Sequence, residues 1–279
     1  MTETVKQRIH DTFRRMIGSL EPIILRKGIR QLAFMAAYGR HFSNEKALKE
    51  TVILFNKLSN ANLFELDQSY RDGLEFVITV HNIIKSGITD YSPAIDLRLM
   101  KIFYKVNRFN RFPVYYFADQ HTMIEAVAMP ALWLRNNSLR DLSWRQRMIG
   151  MLDEIDHMLH LHMGALYQPS MLTGHHLADM TFFVKAMHEA KLFPHRTSRL
   201  LKELSKALKG LAVENPSRTV GLIILGESDN FLTEIDDLSL SEVAWQAYLY
   251  SNKNLTEALA ARCNVMNHLS LEQALILLC

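Results

Sequence analysis

Cysteine is scarce in this sequence, which contains only Cys263 and Cys279 among its 279 residues. Two thiols are too few for a disulfide framework or for a zinc site built from thiolates, and such usage is typical of a reducing compartment. The N-terminal segment MTETVKQRIHDTFRRM is charged and amphipathic, and it lacks the apolar core of a secretory signal. We therefore expect a cytoplasmic protein.

Long apolar runs and an excess of one charge are also absent. No run of about 18 apolar residues occurs that could span a bilayer. The 32 lysines and arginines nearly balance the 29 aspartates and glutamates, so the formal net charge is only +3. We expect no membrane partner, and this mixed surface argues against a nucleic acid as partner.

Three motifs of common enzyme chemistry are missing as well. The sequence has no P-loop, no glycine-rich dinucleotide turn and no His-Glu-x-x-His motif of metalloproteases. Nucleotide chemistry of the familiar kinds is therefore not expected.

Apolar residues recur through most of the chain with the 3.6-residue period of an amphipathic helix. The predicted fold class is all-α, with about a dozen helices in one domain over residues 1–279. The short segment 219–226 is β-branched and contains two glycines, and we interpret it as helix or extended core because one strand cannot make a sheet. The predicted helices are 3–19, 22–40, 44–58, 64–86, 93–107, 119–135, 144–166, 174–191, 197–213, 240–251, 254–267 and 271–279.

Several helix starts carry capping signals. A serine followed three residues later by Gln or Glu has the spacing of a capping box, in which each side chain binds the other residue's backbone N–H. Three such pairs occur, namely Ser143 with Gln146, Ser239 with Glu242, and Ser270 with Gln273.

A weak internal similarity joins two C-terminal segments. LSLSEVAWQAYL begins at Leu238, and LSLEQALILL begins at Leu269. This spacing is typical of stacked helix pairs, but two partial copies leave both a helix-pair array or ring and an irregular helical bundle open.

Histidines are concentrated in the centre of the chain, where three predicted helices each place a histidine three or four residues from a carboxylate. Residues at this spacing share one helix face, so each pair offers two ligands to one cation. The pairs are His121 with Glu125, Glu154 with His157, and His175 with Asp179. Imidazole and carboxylate together suit zinc, iron or manganese, which would activate water or dioxygen while His176 moves protons.

The segment KIFYKVNRFNRFPVYYF, from Lys101 to Phe117, interleaves basic and aromatic residues. Aromatic side chains stack on bases while cations follow phosphates, so a nucleic-acid surface is one interpretation. Arg108 and Arg111 could equally hold the carboxylate or phosphate of a small ligand. We favour a buried connecting segment with solvated basic groups, because the remaining chain is not basic.

Methionines cluster in the same central helices as the histidines. Flexible thioethers adapt to peptides and apolar molecules, although they more often fill cores. We predict an α-helical scaffold or accessory protein that binds a protein, a peptide or a small-molecule ligand in a central His/Met-rich groove over residues 148–188. The alternative is a metal-dependent enzyme that uses non-haem iron, manganese or zinc.

The metal hypothesis makes a direct prediction about purified, untagged protein. Elemental analysis should find near-stoichiometric iron, manganese or zinc that is lost in a His157→Ala, His175→Ala double variant prepared identically. Wild-type protein without metal after reconstitution would leave only the binding-protein prediction.

Overall fold

The computed structural model contains α-helix as the one regular element among the residues it describes, with no strand, which confirms the all-α fold class. The described residues are 1–17, 25–59, 70–85, 149–150, 152–153, 155–157, 159–160, 174–189, 191–212, 215–227, 237–250 and 253–279. The helices whose bounds lie within these residues are α1 (Glu3–Ile17), α2 (Leu25–His41), α3 (Glu45–Leu58), α4 (Tyr70–Lys85), α5 (Gly174–Glu189), α6 (Pro194–Lys209), α7 (Pro216–Leu225), α8 (Asp237–Tyr250), α9 (Lys253–Cys263) and α10 (Leu271–Ile276). None of these helices is long and apolar enough to cross a membrane.

The ambiguous segment 219–226 lies in α7, so it is helical rather than extended. Helix α6 begins at Pro194, three residues before the predicted start at residue 197, because a proline in the first helical turn loses no intrahelical hydrogen bond. The predicted helices 93–107 and 119–135 lie outside the described residues.

Two of the three predicted capping boxes lie among the described residues, and one of them is confirmed whereas the other is wrong. The Ser270 hydroxyl accepts from the Gln273 backbone N–H at 3.2 Å, and the Gln273 side chain accepts from the Ser270 backbone N–H at 2.9 Å, which confirms that box. Ser239 lies inside α8, which begins at Asp237, so its predicted position outside the helix is wrong. The Ser143 pair lies outside the described residues.

The chain divides into two compact units. One unit contains α1 to α4 and α8 to α10, and we call it unit 1. Unit 2 contains α5 to α7 and the helical residues described between 149 and 160. The prediction of one domain over residues 1–279 stays a prediction.

Helix α2 is the centre of unit 1 and packs against α3, α4 and α10. Its residues 28–36 are buried except for Arg30, as expected for a helix surrounded by others. A close crossing with α3 occurs at Gly39, where a Cβ atom would lie 2.7 Å from Cδ2 of Leu48. Unit 1 is therefore a helical bundle built around α2.

A buried polar cluster joins four helices of unit 1. The Arg30 guanidinium of α2 binds the Glu272 carboxylate of α10 at 2.8 Å and lies 5.3 Å from the ring centre of Trp245 in α8. The Trp245 indole N–H donates to the carboxylate of Glu75 in α4 at 2.9 Å. Trp245 and Glu75 are both fully buried, so this cluster fixes how the four helices meet.

Helix α1 holds the loop that joins α9 to α10. The guanidinium of Arg15 donates to the Leu269 carbonyl at 3.1 Å, and that of Arg8 donates to the Met266 carbonyl. Loop carbonyls that lack helical partners are thereby satisfied by α1.

The three helices of unit 2 pack against one another around a fully buried core that includes Met180 and Phe183. Helices α6 and α7 meet where Leu208, which has no exposed surface, lies against Gly221. A Cβ atom on that glycine would lie 2.6 Å from both Cδ atoms of the leucine.

Replacing Gly221 by alanine should therefore destabilise the protein by about 1–2 kcal/mol, because the cost of overpacking exceeds the gain in helix propensity. Gly150→Ala is the matched control, since Gly150 is exposed and helical and has open space where its Cβ would lie. That control should stabilise by about 0.5–1 kcal/mol. Urea denaturation followed by circular dichroism measures both changes, and equal stabilisation by the two variants would contradict the close packing.

Candidate functional site

Unit 1 contains a cavity of about 910 Å³ between α2, α4, α8, α9 and residues 276–279. This volume lies within the range of roughly 300–1,000 Å³ that is typical of small-molecule sites in proteins. The cavity is therefore the candidate functional site among the described residues.

One face of α2 forms a wall of the cavity. Ala33, Ala37, Arg40 and His41 all line it, and their spacing of four, three and one residues keeps them on one side of the helix. The two alanine methyl groups leave room for a ligand, while the last turn of the helix supplies the cation of Arg40 and the imidazole of His41. The wall thus changes from apolar to cationic along the helix axis.

The other walls are mostly small or aliphatic. Ala247 of α8 and Ala260 of α9 add short side chains, and Ile83 of α4 adds a larger one. Leu277 and Leu278 close the cavity from the segment after α10. Such a lining favours an apolar ligand body.

Asn82 fixes the wall that α4 and α8 form together. Its side-chain amide donates to the carbonyl of Tyr248 at 2.8 Å and to that of Leu249 at 3.3 Å. These carbonyls lie in the last turn of α8, which ends at Tyr250. The amide donors of Asn82 are therefore engaged with the protein itself.

Two acidic side chains in the lining are held in their neutral forms. Burial raises the pKa of the Tyr248 phenol well above its ordinary value, and the nearby Cys279 contributes a smaller effect in the same direction. Burial of the thiol likewise raises the pKa of Cys279 to about 12, against the opposing influence of Arg40, although the cysteine residue as a whole is exposed. Neither group carries charge near neutral pH.

The charged side chains of the lining are mainly cationic. Lys253 and Glu257 of α9 face each other at 3.6 Å, and both side chains are largely exposed. Arg40 is also exposed, and it has no carboxylate partner within the part of the chain that the structure describes. The cavity therefore combines apolar walls with a positive edge.

Only some of the residues predicted as metal ligands are among those that the structure describes. His121, Glu125 and Glu154 lie outside the described residues, as do the predicted ligand-binding residues Arg108 and Arg111. His157 is described and exposed.

The third predicted pair, His175 with Asp179, lies with His176 in α5, which confirms the shared helix, but their side chains are outside the description. Among the side chains that are described, no three His, Cys, Asp or Glu residues are grouped as metal ligands. The metal site stays a prediction.

The described part of the His/Met-rich region makes structural contacts in unit 2. Arg199 donates to Asp156 at 2.5 Å, and this hydrogen bond is the main reason that the pKa of Asp156 lies below its ordinary value. His188 contacts the Thr197 hydroxyl at 3.0 Å at the corner between α5 and α6. Met187 is fully buried, so it is part of the core.

Sequence patterns alone did not indicate the cavity residues. The walls of the cavity come from three well-separated parts of the chain, namely α2, α4 and the consecutive helices α8 and α9, and each helix contributes two to four residues. The one local signal on α2 is a face with two alanines followed by two basic residue types, and many surface helices share this pattern. No family model, curated protein or solved structure matches this chain.

Asn82→Asp should test the support of the cavity wall, because it keeps the side-chain shape but turns a carboxylate toward two carbonyl oxygens. We expect the free energy of unfolding to fall by about 2–3 kcal/mol at pH 7. The carbonyls raise the pKa of the new carboxyl in the folded state, so the loss should shrink at pH 5, where protonation restores a donor. Urea denaturation at both pH values measures the effect.

The control is Asn254→Asp, at an exposed position of α9. It should change stability by less than about 0.5 kcal/mol at either pH. Equal losses in the two variants would show that Asn82 does not hold α8.

Proposed function

We propose that this chain is a binding protein that takes a small, largely apolar ligand in the cavity of unit 1. The observation that carries the proposal is the cavity itself, which is of ligand size and lies between small and aliphatic side chains. Four helices and a C-terminal segment supply its walls, and these are rigid elements suited to a preformed site.

The polar groups of the lining support binding rather than reaction. The amide of Asn82 is engaged with α8, and the Tyr248 phenol and the Cys279 thiol are neutral. A neutral thiol is a poor nucleophile, because the thiolate is the reactive form. The remaining polar groups are suited to orienting a ligand.

This proposal keeps the predicted class of ligand-binding protein and selects a small molecule from the three predicted kinds of partner. It moves the site away from the predicted central groove, because the cavity lies in unit 1 whereas residues 174–189 lie in unit 2. The groove over residues 148–188 stays a prediction.

A neutral apolar dye, N-phenyl-1-naphthylamine, should bind wild-type protein saturably with a rise in fluorescence. Dye at about 100 times its Kd should increase the free energy of unfolding by about 2.7 kcal/mol. In Ala37→Trp the indole ring should occupy the cavity and weaken dye binding by at least about tenfold. Fluorescence titration measures the affinity, and denaturation with and without dye measures the stabilisation.

Lys27→Trp is the control, because it places the same ring at an exposed position of the same helix. It should bind the dye as wild type does, and circular dichroism should show both variants folded. Absence of saturable binding to wild type, or unchanged binding to folded Ala37→Trp, would overturn the proposal.

A further inference from the structure

We infer that the ligand of this cavity is an amphipathic anion whose single negative group binds Arg40 while its apolar body lies along the alanine face of α2. This inference rests on the proposed function and adds the chemical class of the ligand. Three features support it, namely the charges of the lining, the guanidinium of Arg40 and the arrangement of α2.

The first step is the balance of charge in the lining. The opposite charges of Lys253 and Glu257 lie 3.6 Å apart and largely cancel each other. The Tyr248 phenol and the Cys279 thiol line the same cavity as neutral groups. Among the described side chains of the lining, the Arg40 guanidinium is therefore the arginine or lysine cation without an ion-pair partner, and an anionic ligand would complement it.

The second step is that the Arg40 guanidinium forms no hydrogen bond or ion pair with the residues that the structure describes. An arginine in the last turn of a helix often binds the free carbonyls there. Here the carbonyl of Tyr38 accepts from the backbone N–H of Phe42 at 3.0 Å, and that of Gly39 accepts from Asn44 at 2.8 Å. These carbonyls are satisfied without the side chain.

Other arginines of unit 1 show the contrast. Arg30 binds a carboxylate, and Arg8 and Arg15 bind loop carbonyls. For the Arg40 side chain the described residues offer neither a carboxylate nor a carbonyl within hydrogen-bond distance. Its guanidinium has the planar donors that suit a carboxylate or a phosphate monoanion.

The third step is the geometry of α2. Ala33 and Arg40 are two turns apart on one helix face, which corresponds to about 10 Å along the axis. A ligand with an apolar body of about that length would lie on the alanines with its head at the guanidinium. Ala37 lies between the two and leaves the path open.

The test compares three molecules with the same alkyl chain as competitors for N-phenyl-1-naphthylamine: decanoate, decan-1-ol and decylammonium. We expect decanoate to bind about threefold to fivefold more tightly than the alcohol and the ammonium to bind most weakly. Arg40→Met should abolish the preference for decanoate, with each competitor measured against that variant's own affinity for the dye. Lys27→Met, at an exposed position of the same helix, should retain the preference.

A further variant assigns the charge to one residue. Lys253→Met should reduce the preference less than Arg40→Met, because Lys253 already faces Glu257. Equal binding of decanoate and decanol, or a preference that survives in Arg40→Met, would overturn the inference while dye binding still supports the cavity as a site. Failure of wild type to bind the dye would instead overturn the proposed function.

Discussion

Trp245, held between Arg30 and Glu75, is the contact on which unit 1 depends. A buried charge must keep its partner, and removing one member of such a set commonly costs about 3–5 kcal/mol. The four helices that meet there, α2, α4, α8 and α10, also reach the cavity, either directly or through the segment after α10. In each helix the cluster residue precedes the cavity residues along the chain. The helices are therefore fixed by the cluster, while short side chains farther along leave the space between them unfilled.

Apolar contact and charge play different parts in the candidate site. Burying about 100 Å² of apolar surface contributes roughly 2.5 kcal/mol, whereas an exposed ion pair contributes at most about 1 kcal/mol. Most of the affinity for a ligand would thus come from the alanine and leucine walls. Because Arg40 is exposed and solvent screens its charge, it would select between ligands of equal size rather than provide the main affinity.

The helices were largely predictable because their signals are local, but the site was not. Apolar periodicity predicted α1 to α4 and α8 to α10 within a few residues, and the Ser270 box lay within four residues of sequence. Ser239 was misplaced, since capping spacing alone does not show which of several polar residues starts a helix. The cavity requires Asn82 to lie beside Tyr248, and no pattern within one helix encodes that proximity. The His175 and Asp179 pair has the opposite difficulty, because its spacing is local but a metal site also needs other helices.

The hydrogen bonds from Arg8 and Arg15 of α1 to the loop before α10 join the first and the last parts of unit 1 to be synthesised. Helices α1 to α4 leave the ribosome first, yet their partners α8 to α10 follow after roughly 150 residues, a delay on the order of 10–30 s. Throughout that interval the apolar surface of α2 that later packs on α10 lacks its partner. Nascent unit 1 thus has a period in which chaperone capture competes with completion of the fold, and the cavity forms only when the last helices arrive.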